Sequence, residues 1–253
     1  YLYGCRVGAG SATPLATDTA LQSSVAYTNV DVDRTYTYSN TSPYWSAIIV
    51  TWRFDTGEAA GNLSEVGIFY DSDPGSCGSR ALILDEFGDP TTITVLSNEI
   101  LDVTYEARTY MLEDDITGSA TIGEDEYDWT LRGALVAGGG QYGLFAYGAS
   151  SQNGLTPCSG NIDTITGEPT GKGDYLAYGS VNSYVSGTYK RSQVFEFGLE
   201  RNNFDWQSLF FQTVLYTGFL GPTFQIQLDP VLEKTNTKVV TLLLEVSWAR
   251  YAP

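Results

Sequence analysis

Several short stretches of the chain alternate apolar and polar residues with a period of two, the spacing of a β-strand with one buried face. In residues 48–54, Ile48, Val50, Trp52 and Phe54 share one face, and Ile49, Thr51 and Arg53 the other. Residues 101–108 repeat the pattern. Leu101, Val103, Tyr105 and Ala107 are predicted to face a core, and Asp102, Thr104, Glu106 and Arg108 to face water. Further strands are predicted at 65–70, 79–84, 91–95, 129–137, 142–147, 192–199, 208–215, 224–228 and 239–248. Turn-forming clusters such as Glu86-Phe87-Gly88-Asp89-Pro90 separate them. No apolar repeat at period 3.6 persists over three turns, so no helix is predicted.

The expected fold class is all-β: two tandem β-sandwich (jelly-roll-like) domains with little or no helix. Residues 1–20, rich in Ala, Thr, Ser and Gly, read as an N-terminal arm, and 21–112 as the first domain. Residues 113–126 read as a linker, because Glu113, Asp114, Asp115 and Glu124, Asp125, Glu126 flank a Gly/Ser/Thr stretch. Residues 127–253 form the second domain, with its longest loop expected at 148–174. A weak internal repeat supports the duplication. Residues 64–68, 79–84, 91–95 and 103–105 find counterparts, in order, at 195–199, 208–215, 224–228 and 246–248.

Composition agrees with sheet: 42% hydrophobic and 13% aromatic residues suffice for a core, and Tyr and Phe fit a half-buried pleated surface. The net charge of −17 is uneven. Residues 1–126 hold 20 acids and 5 bases, and residues 127–253 hold 10 acids and 8 bases. Such a surface repels phosphate backbones, so no nucleic acid partner is expected. No apolar run reaches the roughly 18 residues of a membrane helix, so no membrane insertion is expected. The start, Tyr1-Leu2-Tyr3, shows neither an initiator Met nor a signal-peptide pattern, as in a processed or renumbered chain. Cys5, Cys77 and Cys158 are far apart and odd in number, which argues against zinc or redox chemistry and for three separate core or loop residues.

Candidate chemistry is sparse. Histidine is absent, which removes Ser-His-Asp and Cys-His triads and His-ligated zinc. Paired carboxylates can hydrolyse a glycosidic bond unaided, and Glu65, Glu106, Glu196 and Glu245 lie in strand patterns. Acids on a solvated strand face explain them more simply. Residues 167–173 look like a phosphate loop but have the wrong spacing and no strand–helix context, so they read as a flexible turn. Asp71-Ser72-Asp73-Pro74-Gly75 begins like a calcium loop but lacks the distal Glu, and reads as a plain turn. Asn40-Thr41-Ser42 and Asn62-Leu63-Ser64 fit the glycosylation sequon, a pattern frequent by chance. Tyr36, Tyr38, Tyr44, Trp45, Tyr175, Tyr178, Tyr184 and Tyr189 fit packing, a protein interface or stacking on sugar rings. No catalytic, cofactor-binding or metal-binding residue is assigned.

One stretch carries more. Residues 62–110, NLSEVGIFYDSDPGSCGSRALILDEFGDPTTITVLSNEILDVTYEARTY, resemble a segment recurrent in virion structural proteins of tailed bacteriophages. The shared parts are S-E-[VI]-G-[LI], a Ser/Leu-Arg-Ala-Leu stretch, P-x-T-[IV]-T-V, and L-x-V-T-Y-E-x-R. Residues 183–203 also look like the lead-in to a neighbouring unit of such proteins. The resemblance covers about 70 of the 253 residues. It implies β-sandwich building blocks without chemistry of their own, in a tail, neck or baseplate component. The implied partners are copies of itself and other virion proteins, with assembly in the bacterial host cytoplasm and final location in the virion. Because no coiled coil or repetitive shaft is evident, a fibre shaft fits poorly. The alternative is a carbohydrate-binding module that recognises a host surface glycan.

Overall fold

The computed structural model describes residues 2–15, 17–69, 77–137, 153–174, 176–178, 180–183, 185, 188, 190–213 and 220–247. The fold is all-β, and the described residues contain no helix. Two compact units emerge, Tyr1–Thr35 with Ile48–Ala107 and Tyr36–Ala47 with Arg108–Pro253.

The first unit uses β1 (Gly4–Gly8), β2 (Ser24–Thr28), β3 (Asp31–Ser39), β4 (Trp45–Phe54), β5 (Gly61–Leu63), β6 (Glu65–Phe69), β7 (Cys77–Leu82), β8 (Ile93–Val95) and β9 (Leu101–Tyr110). These form a four-stranded sheet β2-β1-β6-β7, a three-stranded sheet β3-β4-β9 and the pair β5-β8. The boundary between units falls within β3, β4 and β9. The alternation read from the sequence sets the core. Val50, Trp52 and Phe54 of β4 pack with Cys5 and Val7 of β1 and Ile68 of β6, while Leu101, Val103, Tyr105 and Ala107 close in from β9. On the opposite face Arg53 makes a two-point ion pair with Asp102 (2.7 and 2.6 Å), and Thr51 meets Thr104 at 2.8 Å. The Trp52 indole N–H, fully buried, has no partner among the described residues.

The second unit adds β10 (Ile116–Ile122), β11 (Asp125–Ala137), β12 (Asn153–Cys158), β13 (Ala177–Tyr178), β14 (Ser180–Val181), β15 (Lys190–Phe197), β16 (Asp205–Thr213), β17 (Leu220–Glu233) and β18 (Val240–Ser247). A six-stranded sheet, β10-β11-β17-β16-β12-β13, faces a three-stranded sheet, β14-β15-β18. Rings from the two sheets meet edge to face: Phe195 on Phe211 with centroids 5.9 Å apart, and Phe197 on Trp206 at 4.8 Å. Each unit thus buries the apolar faces of two sheets against each other, as a β-sandwich does.

Five expectations need correction. Residues 4–8 are not part of a loose arm but the inner strand β1, paired with β2 on one side and β6 on the other. Only Cys5 and Val7 carry its burial, too short a pattern to stand out among small residues. Residues 116–122 are not a linker but β10, closed onto β11 by a two-residue turn with Gly123 at φ 70°; Glu124, Asp125 and Glu126 are simply solvent-facing. Gly118 is needed there because the Trp129 ring lies over it and leaves no room for a Cβ. Residues 153–158, placed in a long loop, form β12 between β13 and β16. The layout is also not tandem, since each unit takes two separate pieces of chain. Nor does the pairing follow the internal repeat. β6 pairs with β7, whereas their counterparts β15 and β16 lie in different sheets. The strand predicted at 142–147 lies outside the described residues.

Trp52 and Trp206 are both fully buried, so Trp52→Ala and Trp206→Ala are each expected to cost about 3–5 kcal/mol of stability. Urea titration followed by far-UV circular dichroism measures both, and Thr51→Ala on the outer face of β4 should change it by less than about 1 kcal/mol.

Candidate functional site

The most concentrated polar chemistry surrounds Glu65, at the start of β6. Its side chain is fully buried yet ionic. Oε1 accepts the backbone N–H groups of Ser23 (2.7 Å) and Gly10 (3.0 Å), and Oε2 accepts that of Gln22 (3.1 Å) and the Nε of Arg80 on β7 (2.7 Å). The rest of the Arg80 guanidinium reaches Asp18 Oδ2 at 2.8 Å and the Ala12 carbonyl at 2.9 Å. Asp18 in turn accepts the Leu15 N–H at 2.8 Å, and Gln22 Oε1 accepts the N–H groups of Ser11 and Ala12, both at 2.8 Å. The segment between β1 and β2 is therefore wrapped around one carboxylate. Gly8 and Gly10 permit this, since a Cβ at either would collide with the Glu65 side chain.

Burial opposes ionisation of Glu65, but the backbone donors and Arg80 outweigh it and hold the carboxyl below its ordinary range. Asp18 is likewise held low, by the Leu15 N–H first and then by Arg80. Each Glu65 oxygen thus accepts two donors, and the cluster acts as a clamp on the chain.

The other acids singled out by sequence are not brought to it. Glu106 and Glu196 face solvent from β9 and β15, and Glu245, also exposed, pairs with Lys190 at 3.1 Å. Glu196 and Glu245 share the outer face of β15 and β18 but stand four register positions apart, roughly 13 Å. Residues 167–173 are not a free turn. Their backbone pairs with residues 157–160, Lys172 binds Glu168 at 2.6 Å, and its Nζ lies 4.5 Å from the Phe210 ring centre. Asn40 and Asn62 are exposed, and Asn62 Oδ1 accepts the Thr94 hydroxyl at 2.8 Å. Residues 71–75 lie outside the described residues, as do Tyr175, Tyr184, Tyr189 and the side chain of Tyr178. Of the other aromatics, Tyr36 and Tyr44 are half-buried, Tyr38 is exposed, and the Trp45 ring is covered by the Arg108 guanidinium at 4.5 Å.

All three cysteines are buried free thiols. Burial, and then the neighbouring Cys77, pushes Cys5 up to about 12, and burial pushes Cys158 up to about 11, so neither is a ready nucleophile. Among the described residues, no group of three or more Cys, Asp or Glu side chains is placed to hold a metal ion.

Sequence reasoning missed two features of the second unit. Lys234 is almost wholly buried without a carboxylate partner among the described residues; its Nζ donates to Gly198 O (3.0 Å), Asn203 Oδ1 (2.7 Å) and Thr235 O (2.9 Å). Desolvation lowers its pKa against the opposing pull of Glu200. An open cleft of about 540 Å³ lies where β16 and β17 shift register, lined by Ser159, Asp205, Gln207, Pro230, Val231 and Glu233. Asp205 and Glu233 stand directly opposite across the strands, but no aromatic ring lines the cleft to stack on a sugar.

No known protein family matches the chain, and neither curated proteins nor solved structures include a significant match.

Removing one member of the buried pair strands the other, so Glu65→Gln or Arg80→Met should each cost about 3–5 kcal/mol. The linkage sign follows from the lowered carboxyl: its contribution is complete above the unfolded-state value and is lost as pH falls through the folded one. Stability measured by urea titration should therefore be flat near neutrality and fall below about pH 4.5, with part of that slope absent in Glu65→Gln.

Proposed function

We propose that this chain is a non-enzymatic structural component of a tailed-phage virion, in the tail, neck or baseplate, assembling through protein–protein contacts. The observation that carries the reading is how the phage-like string is used. Its parts fall on β6, β7, β8 and β9, and two of its charged members, Glu65 and Arg80, bind each other in the interior. A motif spent on holding strands together fits a building block. Edge strands favour the same reading: β2, β10 and β18 pair on one side only among the described residues and expose Val25, Ile116 and Leu243. Neighbouring subunits would cover such edges. The glycan-binding alternative draws chiefly on exposed Tyr38, because Trp45 already serves Arg108.

Mass spectrometry and immunogold electron microscopy of purified particles test the role. The chain should be found in particles at a fixed copy number and at one location. Absence from particles, together with a monomer at high concentration in sedimentation, would overturn it. A saturable signal on a glycan array would favour the alternative.

A further inference from the structure

Between β7 and β8 the chain leaves the sheet as a short hairpin. Thr91 N–H donates to Ile83 O at 2.9 Å, Leu84 faces Pro90, and Ile83 packs on the core of the first unit. The tip is closed four ways. Asp85 N–H donates to Asp89 O (2.9 Å), and Gly88 N–H donates to Asp85 O (3.1 Å). Asp85 Oδ1 accepts the N–H groups of Phe87 (2.9 Å) and Asp89 (3.0 Å). Gly88 turns the corner at φ 86°, a conformation that favours glycine. On this ordered tip Phe87 is 82% exposed and Leu84 54% exposed. Isolated apolar residues in water are common, but an aromatic ring held out by a turn with four hydrogen bonds of its own is pre-organised for contact.

The charges around the ring narrow what it meets. Asp85, Glu86 and Asp89 surround Phe87, and none is ion-paired among the described residues. The first unit holds fourteen acids and four bases, and those bases are engaged. Arg34, Arg53 and Arg80 are in ion pairs, and Arg6 stacks over Tyr27 and Phe69 at 5.3 and 5.0 Å from the ring centres. A second copy, at a net charge of −17, would bring further repulsion rather than compensation.

We propose that the 83–91 hairpin is a docking finger: Phe87, flanked by Leu84, inserts into an apolar pocket of a different protein whose rim carries Arg or Lys opposite Glu86 and Asp89. This deepens the assembly role and rests on it in taking the partner to be another protein of the same particle. The rigid aromatic anchor supplies the buried contact at low ordering cost, and the carboxylate rim steers and selects a basic surface.

The test places the photo-crosslinker p-benzoylphenylalanine at position 87 in cells assembling particles. Irradiation should give an adduct with one other particle protein. With that protein isolated, Phe87→Ala should weaken binding at least about tenfold, and Glu86→Lys with Asp89→Lys several-fold, with a shallower salt dependence. The melting temperature of Phe87→Ala should stay within about one degree of the wild type, since an exposed ring contributes little to the fold. No adduct, adducts only between copies of this chain, or unchanged affinity in Phe87→Ala overturns the finger. Normal incorporation of Phe87→Ala into particles sinks the finger alone, whereas absence of the wild-type chain from particles sinks both.

Discussion

A carboxylate cannot be taken out of water without a cost of several kcal/mol unless donors replace its hydration, and the first unit is arranged around that constraint at Glu65. Three backbone N–H groups and one guanidinium nitrogen converge on its two oxygens. The donors come from both neighbours of β6 in its sheet: Gly10, Gln22 and Ser23 from the segment between β1 and β2, and Arg80 from β7. Satisfying the charge therefore fixes how that segment crosses the sheet end. Because β1 lies between β6 and β2 in its sheet, the segment's path also fixes the edge strand β2. Arg80 extends the effect to Asp18 and Ala12, so one ion pair organises a stretch of chain with little apolar surface of its own.

The second unit solves the same problem with buried amides and a lysine. Gln225, fully buried on β17, accepts the Asp163 N–H at 2.7 Å and donates to the Thr164 carbonyl at 3.0 Å, while Gln227 accepts the Ile162 N–H at 3.0 Å. Lys234 does the equivalent for the turns at 198–203 and 235. In both units buried polar side chains act on loop backbone, where an unmet donor or acceptor would otherwise cost about as much as a lost hydrogen bond. The apolar core sets the sandwich, and these residues set the course of the connections.

That use of polar groups has a consequence at the surface. The arginines of the first unit pair with acids elsewhere or stack on rings, which leaves the acids of the 85–89 turn without local compensation. Negative charge and exposed apolar side chains then coincide on one ordered projection. A partner that contributes basic groups and an apolar cavity would satisfy both at once, which is the physical content of the proposed assembly role.

The sequence by itself determined the fold class and the strand faces wherever alternation ran long enough. Residues 48–54 and 101–108 face as their period-two pattern dictates, because each buried side chain there has an apolar partner on the opposing sheet. It also named Glu65 as a candidate acid and placed Arg80 in a strand run. What it did not contain was their pairing. Fifteen positions separate the two residues in the chain, and only the antiparallel register of β6 and β7 brings their side chains within 2.7 Å. Tertiary structure likewise decided that five residues near the N-terminus form an inner strand and that an acidic Gly/Ser/Thr stretch forms a hairpin. The N-terminal strand is held by β6, which is distant in sequence, and the hairpin is joined to its sheet by the pairing of β11 with β17, so the local pattern of neither segment records it.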